Sequence, residues 1–334
     1  MSDHSNDFAE QIDRMAAGFR DAQILLTANR LELFSLLETT PRASVPEMAR
    51  VLGASERGLQ ILCDALVALR LLRKTNDRYE NSEAARYCLL PSSPAPKGAI
   101  LLHTAKLYER WGKLYDAVLS GQPVPDEQID PRLRFDEAGF ARAMADSARA
   151  MVKVTAEALP LAGVARVLDV GGGPGLYSIE FSRRNSGLRC VIMDNKPTLK
   201  IALENIREAG LEDRVTPLPG DILRDDPGGP YDLVFVSNLI HSFSADDNAR
   251  LVKKCAGVLN SGGAICLKDF FLEADRTSPV WAALFAVNML VSTESGSCYT
   301  VEEASGWLDA AGLTRAPFRM ITPQTGLLIG RKSD

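Results

Sequence analysis

Arg166-Val-Leu-Asp-Val-Gly-Gly-Gly-Pro-Gly175 is a short apolar strand that ends in an acid and runs into a glycine-packed turn. A dinucleotide fingerprint needs Gly-x-Gly-x-x-Gly, its last glycine allowing close helix–strand packing. Gly171 and Gly173 satisfy the first two positions, but the third is Leu176, and the glycine falls one residue early, at Gly175. A phosphate-cradling loop fails too, because no Gly-Lys-Ser/Thr follows. A carboxylate at the strand end, Asp169, repels phosphate and favours a cation or an amino group. S-adenosylmethionine carries both a sulfonium and an ammonium. The run therefore reads as a seat for that cofactor, with Asp169, Gly171, Gly173 and Gly175 as contacts. Another nucleotide and a plain tight turn are the competing readings.

Outside this stretch the composition is ordinary. A chain of 334 residues has room for two domains, and 46% hydrophobic with 24% charged residues fits a globular protein. A net charge of -5 gives no global attraction to nucleic acid or to an anionic membrane. The opening Met1-Ser-Asp-His-Ser-Asn-Asp7 is polar and acidic, unlike a secretory or organellar signal. The longest apolar run, Pro279 to Val291, is too short for a membrane span and reads as a buried helix. Six cysteines (Cys63, Cys88, Cys190, Cys255, Cys266, Cys298) are scattered without a Cys-x-x-Cys pair. No metal site is expected, and a reduced, cytoplasmic setting is.

Two regions differ in pattern. Residues 1–96 read as helical with short connectors. Apolar residues at helical spacing predict a helix from Ala22 to Leu37. Ser44-Val-Pro-Glu47 has the form of a capped helix start, and that helix should end near Gly53. Ser55 caps a second helix, Arg57 to Leu71, and Arg73 to Asn81 reads as a hairpin wing. Helix, turn, helix and wing make a winged-helix layout. Its cations, Arg57, Arg70, Arg73 and Lys74 against Glu56 and Asp64, are a small surplus for phosphate binding. Dimer packing or a substrate lid is therefore the favoured use, with no nucleic-acid partner.

Pro91-Ser-Ser-Pro-Ala-Pro96 marks a hinge, and residues 97–334 form the second region. Ile100–Leu119 and Phe140–Leu159 are expected as bridging helices. From Arg166 onward strands and helices alternate. Strands are read at Arg166–Val170, Arg189–Asp194, Val215–Pro219, Tyr231–Ser237 and Ala264–Phe270. Helices are read around Leu176–Arg184, Thr198–Ala209, Asp247–Leu259, Trp281–Leu290 and Val301–Ala311. Arg315–Ile321 and Gly326–Arg331 should pair antiparallel. This is an α/β, Rossmann-like, doubly wound sheet, mostly parallel with an antiparallel last strand, preceded by an α-helical winged-helix region.

Ligands of such sheets bind at the carboxyl ends of the strands. Asp194 ends the second strand, roughly 20 residues past the glycines, where an acid accepts from ribose hydroxyls. Gly220-Asp221-Ile222 closes the third, with Asp221 placed for an adenine amino group and Ile222 for the ring. His241 follows the fourth, in Ser237-Asn-Leu-Ile-His-Ser-Phe243. It is one of only three histidines. A neutral imidazole there can take a hydroxyl proton while that oxygen attacks a methyl group. Phe140, Met144, Trp281, Phe285 and Met289, on helices next to the sheet's carboxyl edge, are candidate walls of an acceptor pocket, with a core role the equal alternative; such a lining suits a flat, apolar molecule.

With these residues assembled, the sequence resembles the metal-independent, S-adenosylmethionine-dependent O-methyltransferases of the caffeate/hydroxyindole type, including bacterial natural-product relatives. The resemblance runs over nearly the whole chain. It implies a homodimer interlocked through the N-terminal domain, a histidine general base, and an acid that orients its ring. By position that acid is Asp269, where the family usually has Glu. The chain departs from the family pattern at three places. His241-Ser-Phe243 stands where members often read His-Asp-Trp. Ser237 occupies the place of a lysine that often touches the cofactor. Cys298-Tyr-Thr300 replaces a segment that carries a second acid. The expected activity is methyl transfer to a hydroxyl of a small, aromatic molecule of secondary metabolism. The alternatives are methylation at carbon or nitrogen, or a non-catalytic winged-helix regulator that senses S-adenosylmethionine.

Overall fold

The computed structural model describes residues 2–134 and 136–334. The chain divides into two compact units, Met1–Ala105 and Lys106–Asp334.

In the first unit, the stretch expected as one helix from Ala22 to Leu37 is two helices, Phe19–Arg30 and Leu33–Thr39. Glu32 between them sits at φ 54°, which no helix interior tolerates. The break turns Leu33, Phe34 and Leu37 fully into the core. The capped start is as expected: the Ser44 N–H donates to Glu47 Oε2 at 2.7 Å and opens the helix Val45–Leu52, which Gly53 closes at φ 62°. Ser55 Oγ accepts from the Gly58 N–H at the start of the helix Glu56–Ala68. This helix stops short of the expected Leu71, because Arg70 adopts φ 61° and the Leu71 N–H folds back to Leu66 O at 2.9 Å. A small sheet is built from β1 (Ala43–Ser44), β2 (Leu72–Thr75) and β3 (Arg78–Asn81) in the order β1-β3-β2. Asn76 and Asp77 join β2 to β3 with φ of 49° and 57°, the two-residue turn whose twist matches a hairpin. The wing is tied down by Tyr79, whose buried hydroxyl donates to Asp64 Oδ1 at 2.7 Å.

The second unit is built on an eight-stranded sheet. Its strands are β4 (Arg166–Val170), β5 (Arg189–Asp194), β6 (Val215–Pro219), β7 (Tyr231–Ser237), β8 (Leu259–Asp269), β9 (Thr314–Arg315), β10 (Arg319–Met320) and β11 (Gly326–Arg331). The order is β10-β11-β8-β7-β4-β5-β6, with β9 also on β11. Five neighbours from β8 to β6 run parallel, and β11 lies antiparallel to β8. β8 begins at Leu259, earlier than the expected Ala264. The predicted Arg315–Ile321 strand survives only as β9 and β10, because Pro317 between them has no N–H for the ladder. Two of the bridging helices also break. Ile100–Leu119 becomes Gly98–Trp111 and Leu114–Ser120, and Phe140–Leu159 becomes Glu137–Ala148 and Val152–Ala158.

Both faces of this sheet are covered, which is why its strands read as continuous apolar runs rather than alternating ones. One face packs Val167, Ile192, Leu233, Phe235 and Cys266 under the helices Leu176–Arg184 and Lys196–Ala209. Phe235 meets Tyr177 and Phe181 edge-on at 5.3 Å each, contacts worth about 0.5–1.5 kcal/mol apiece beyond the area they bury. The other face packs Leu168, Val234, Val236, Ile265 and Leu267 under Ala245–Gly257 and Val301–Ala310. Strand order reverses between β4 and β7, so the carboxyl ends of these two strands frame the crevice where such sheets bind ligands.

Candidate active site

The glycine turn leaves β4 into that crevice. Gly171, Gly173 and Gly175 all have positive φ, at 63°, 56° and 77°. Three of the turn's glycines are closed in by neighbouring side chains. A Cβ at Gly171 would lie 2.9 Å from Leu239, at Gly172 2.7 Å from Asp169, and at Gly175 2.8 Å from Ile192. Gly173 differs: the nearest atom to its Cβ would be Gly171 O at 4.0 Å. The turn therefore has one open side, at Gly173, where a ligand can approach backbone directly.

Asp194 at the end of β5 faces the same turn. Its Oδ2 accepts from the Gly173 N–H at 2.9 Å and its Oδ1 from Asn195 N–H at 2.7 Å. A carboxylate has about four acceptor positions, so two remain for hydroxyl donors. Burial raises its pKa, against the two backbone donors. Asp169 lies beneath the turn, 1% exposed. Its Oδ2 accepts from Ser178 Oγ at 2.7 Å, while its buried Oδ1 has no hydrogen-bond partner. Burial foremost, with the charge of Asp194 adding to it, pushes the Asp169 carboxyl up to about 7. An open backbone cradle beside two acids, one of them with an orphaned oxygen, fits a ribose-bearing cation such as S-adenosylmethionine.

The third strand end contributes less directly. Gly220 packs tightly, its Cβ position 2.7 Å from Met193 Cε, and its N–H donates to Asp194 O at 3.0 Å. Asp221 is exposed and accepts from the Leu223 N–H at 2.9 Å. Ile222 is 5% exposed and belongs to the apolar core. At the end of β7, Ser237 is half-buried and its Oγ donates to Asn238 Oδ1 at 3.3 Å.

His241 sits in the short 3₁₀ turn Ile240–Ser242 just past β7. Its Nδ1 lies 2.7 Å from Oδ1 of Asp269, the last residue of β8. The side chains are 12% and 2% exposed. Burial alone would raise the Asp269 carboxyl, but the His241 ring, the Phe270 N–H and Lys268 outweigh it and hold the pKa below its ordinary value. An ionised Asp269 only accepts, so Nδ1 carries the proton, and in the neutral form of the ring Nε2 holds the lone pair. Among the described residues, that Nε2 has no hydrogen-bond partner.

An aromatic wall surrounds this pair. Phe285 meets the His241 ring edge-on at 4.9 Å, Phe270 stacks on it at 6.0 Å, and Trp281 abuts Phe270 at 6.1 Å. Met289 is buried on the same helix as Phe285, Val280–Ser292. Phe140 and Met144 lie on another helix. Their helix, Glu137–Ala148, packs on Lys196–Ala209, and Phe140 is 44% exposed. Cys298 is fully buried with Leu272 and Ala282 in a cluster that includes Phe270 and Phe285. Burial and the neighbouring Asp269 push its thiol up to about 12, so it is no substitute for an acid.

Sequence reading missed three residues here. Phe270 was read only as the end of a strand, although the residue following a strand-end acid is a natural neighbour of that acid's partner. Gly296 lies against the carbonyl of His241, leaving no room for a Cβ, and the Ser297 N–H donates to that carbonyl at 2.9 Å. The signal was a glycine between two serines close before Cys298. Lys268, 2% exposed, left no sequence signal of its own.

The sequence matches the O-methyltransferase domain over residues 127–314 and the O-methyltransferase dimerisation domain over residues 14–91. It is 31% identical to 3-hydroxy-5-methyl-1-naphthoate 3-O-methyltransferase of Streptomyces sahachiroi, over 96% of this chain and 94% of that one. It is 29% identical to the tetracenomycin polyketide synthesis 8-O-methyl transferase TcmO of Streptomyces glaucescens, over 96% and 95%. In fold it matches human N-acetylserotonin methyltransferase, solved in complex with S-adenosylmethionine, with a TM-score of 0.86, 24% identity and full coverage of both chains.

Proposed function

The chain belongs to the O-methyltransferase family, and from that premise we propose that it methylates a hydroxyl of a small aromatic molecule, with His241 as general base. The cofactor is S-adenosylmethionine, which when bound supplies an electrophilic methyl group on a sulfonium. The Gly171–Gly175 backbone would seat it, Asp194 would accept from the ribose hydroxyls, and the free Oδ1 of Asp169 would offer a hydrogen-bond acceptor. Gly220, Asp221, Ile222 and Ser237 would complete the adenosine side. Phe285 and Met289 would wall the acceptor with Phe270 and Trp281, while Phe140 and Met144 would contribute from the other side of the crevice.

The observation that carries the proposal is the His241–Asp269 pair. Asp269 holds the ring so that Nε2 takes the acceptor's hydroxyl proton as the oxygen becomes nucleophilic, and it stabilises the imidazolium that results. Positioning the acceptor contributes about 7–11 kcal/mol and the base about 10²–10⁴-fold. The aromatic rings exclude water from that proton transfer.

We place the dimerisation region at residues 1–96 and the methyltransferase region at 97–334. A homodimer is supported by the dimerisation-domain match and by a stripe of exposed apolar residues, Phe8, Ile12, Met15 and Phe19, at helical spacing. Among the described residues no helix is long and apolar enough to cross a membrane. A screen of hydroxylated aromatics and polyketides with labelled S-adenosylmethionine, read by product mass, tests the reading. A product methylated at nitrogen or carbon overturns it.

A further inference from the structure

Beyond its charge beside Asp269, Lys268 has no role in the chemistry described above, yet it is one of the most deeply buried side chains of the unit, 2% exposed. Burial pushes its ammonium down to about 8, with Asp269 pulling the other way. A lysine kept at such a place needs partners. Its Nζ bonds Asn238 Oδ1 and lies 5.3 Å over the ring of Tyr177. On the backbone, the Asn238 N–H donates to Lys268 O at 2.8 Å. Asn238 is thus held twice by one residue.

Asn238 is the corner at which the chain leaves β7. It has φ 52°, the left-handed conformation that a side-chain-bearing residue adopts only at a cost. From that corner the chain does two things. Leu239 lies over the glycine turn, close enough that a Cβ on Gly171 would be 2.9 Å from it. The next three residues form the turn that carries His241. Further along, that turn is tied by Asn248 Nδ2 donating to Ile240 O at 2.8 Å and by the Ser297 N–H donating to His241 O at 2.9 Å. Its entrance depends on Lys268.

We infer that Lys268 is a positioning residue, whose two bonds to Asn238 hold the left-handed corner that sets Leu239 against the glycine turn and aims His241. The turnover arm rests on the proposed role of His241; the binding arm does not. Glycine adopts positive φ without steric cost, so Asn238→Gly should restore the corner when the lysine is gone. Lys268→Met should weaken S-adenosylhomocysteine binding, measured by calorimetry, by about fivefold or more, the loss of one hydrogen-bonded anchor. Its kcat should fall by a similar factor. Lys268→Met/Asn238→Gly should regain most of both without regaining Tm, which a merely structural lysine would not allow. Asn238→Leu, with Lys268 present, should reproduce the binding loss even if Lys268→Met does not fold. Unchanged binding in Asn238→Leu, or no recovery in the double variant, overturns the inference. Should the titrations behave as stated while no hydroxyl is methylated by the wild type, the role of His241 fails and that of Lys268 stands.

Discussion

The two halves of the site are made by different means. On the side of β4, β5 and β6, the ligand cradle is mostly backbone: glycines at positive φ, one of them open, with Asp194 bonded to the turn it helps shape. On the side of β7 and β8, the site is mostly side chains brought from distant segments: His241, Asp269, Phe270, Phe285 and the Gly296 corner. The first kind of site holds a fixed ligand shape with few replaceable atoms. The second can change its acceptor by substitution while the cofactor half stays put. Of the departures from the family pattern, Ser242, Cys298 and Asp269 lie on this second side, whereas Ser237, at the end of β7, is proposed for the cofactor side.

If the halves meet only at the Asn238 corner, damage elsewhere in one should spare the other. The largest effect is expected from His241→Ala, with kcat lowered about 10²–10⁴-fold in single-turnover assays. Full turnover in that variant would remove the base from the account. Asp269→Asn should come next. An amide in place of the acceptor-only carboxylate destabilises both the useful tautomer and the imidazolium, with a loss of about 10²-fold or more in kcat. Equal rates for Asp269→Asn and wild type would show that the ring is oriented by something else.

The smallest effect tests the cofactor half through pH. The Asp169 carboxyl, ordinarily at 3.8, is pushed up to about 7. A raised folded-state value means that the protonated group stabilises the fold fully below 3.8, and that this contribution is lost as pH rises through about 7. Asp169→Asn stays neutral throughout. Its Tm should therefore fall less than that of wild type between about pH 4 and 7, with a gain at the upper end of roughly 2–4 °C per kcal/mol recovered. The same variant should bind cofactor more weakly. Parallel Tm curves for the two proteins would mean that Asp169 is not held protonated by burial.

The same contrast governs what was legible in the sequence. β4, β5, β6 and β7 fall on the expected residues; for the inner strands β4, β5 and β7 the reason is that strands covered on both faces are short apolar runs bounded by turn residues, while β6 is an edge strand interrupted by Thr216 and Pro217. The glycine turn is a local pattern and could be read without its surroundings. The helical regions were harder. Glu32, the Gly112-Lys113 break and the Arg149–Met151 break interrupt apolar periodicity without a proline to announce them; at Glu32 the turn goes with the burial of Leu33, Phe34 and Leu37. On the acceptor side, His241 was visible as a rare residue at a strand end. Phe270, Lys268 and Gly296 matter only through pairing across strands or against a carbonyl far along the chain, and single-sequence spacing carries no trace of that. Phe140 and Met144 were candidates only because their helix was expected beside the sheet's carboxyl edge, and that helix packs on Lys196–Ala209.

The separation of a backbone-built cofactor half from a side-chain-built catalytic half is tested most directly by calorimetric titration of S-adenosylhomocysteine into wild type, His241→Ala and Asp194→Ala. The expected result is an unchanged Kd for His241→Ala and one weakened about tenfold or more for Asp194→Ala, the loss of charge-assisted hydrogen bonds. A Kd for His241→Ala that rises as far as that of Asp194→Ala, or an Asp194→Ala titration indistinguishable from wild type, would contradict the account.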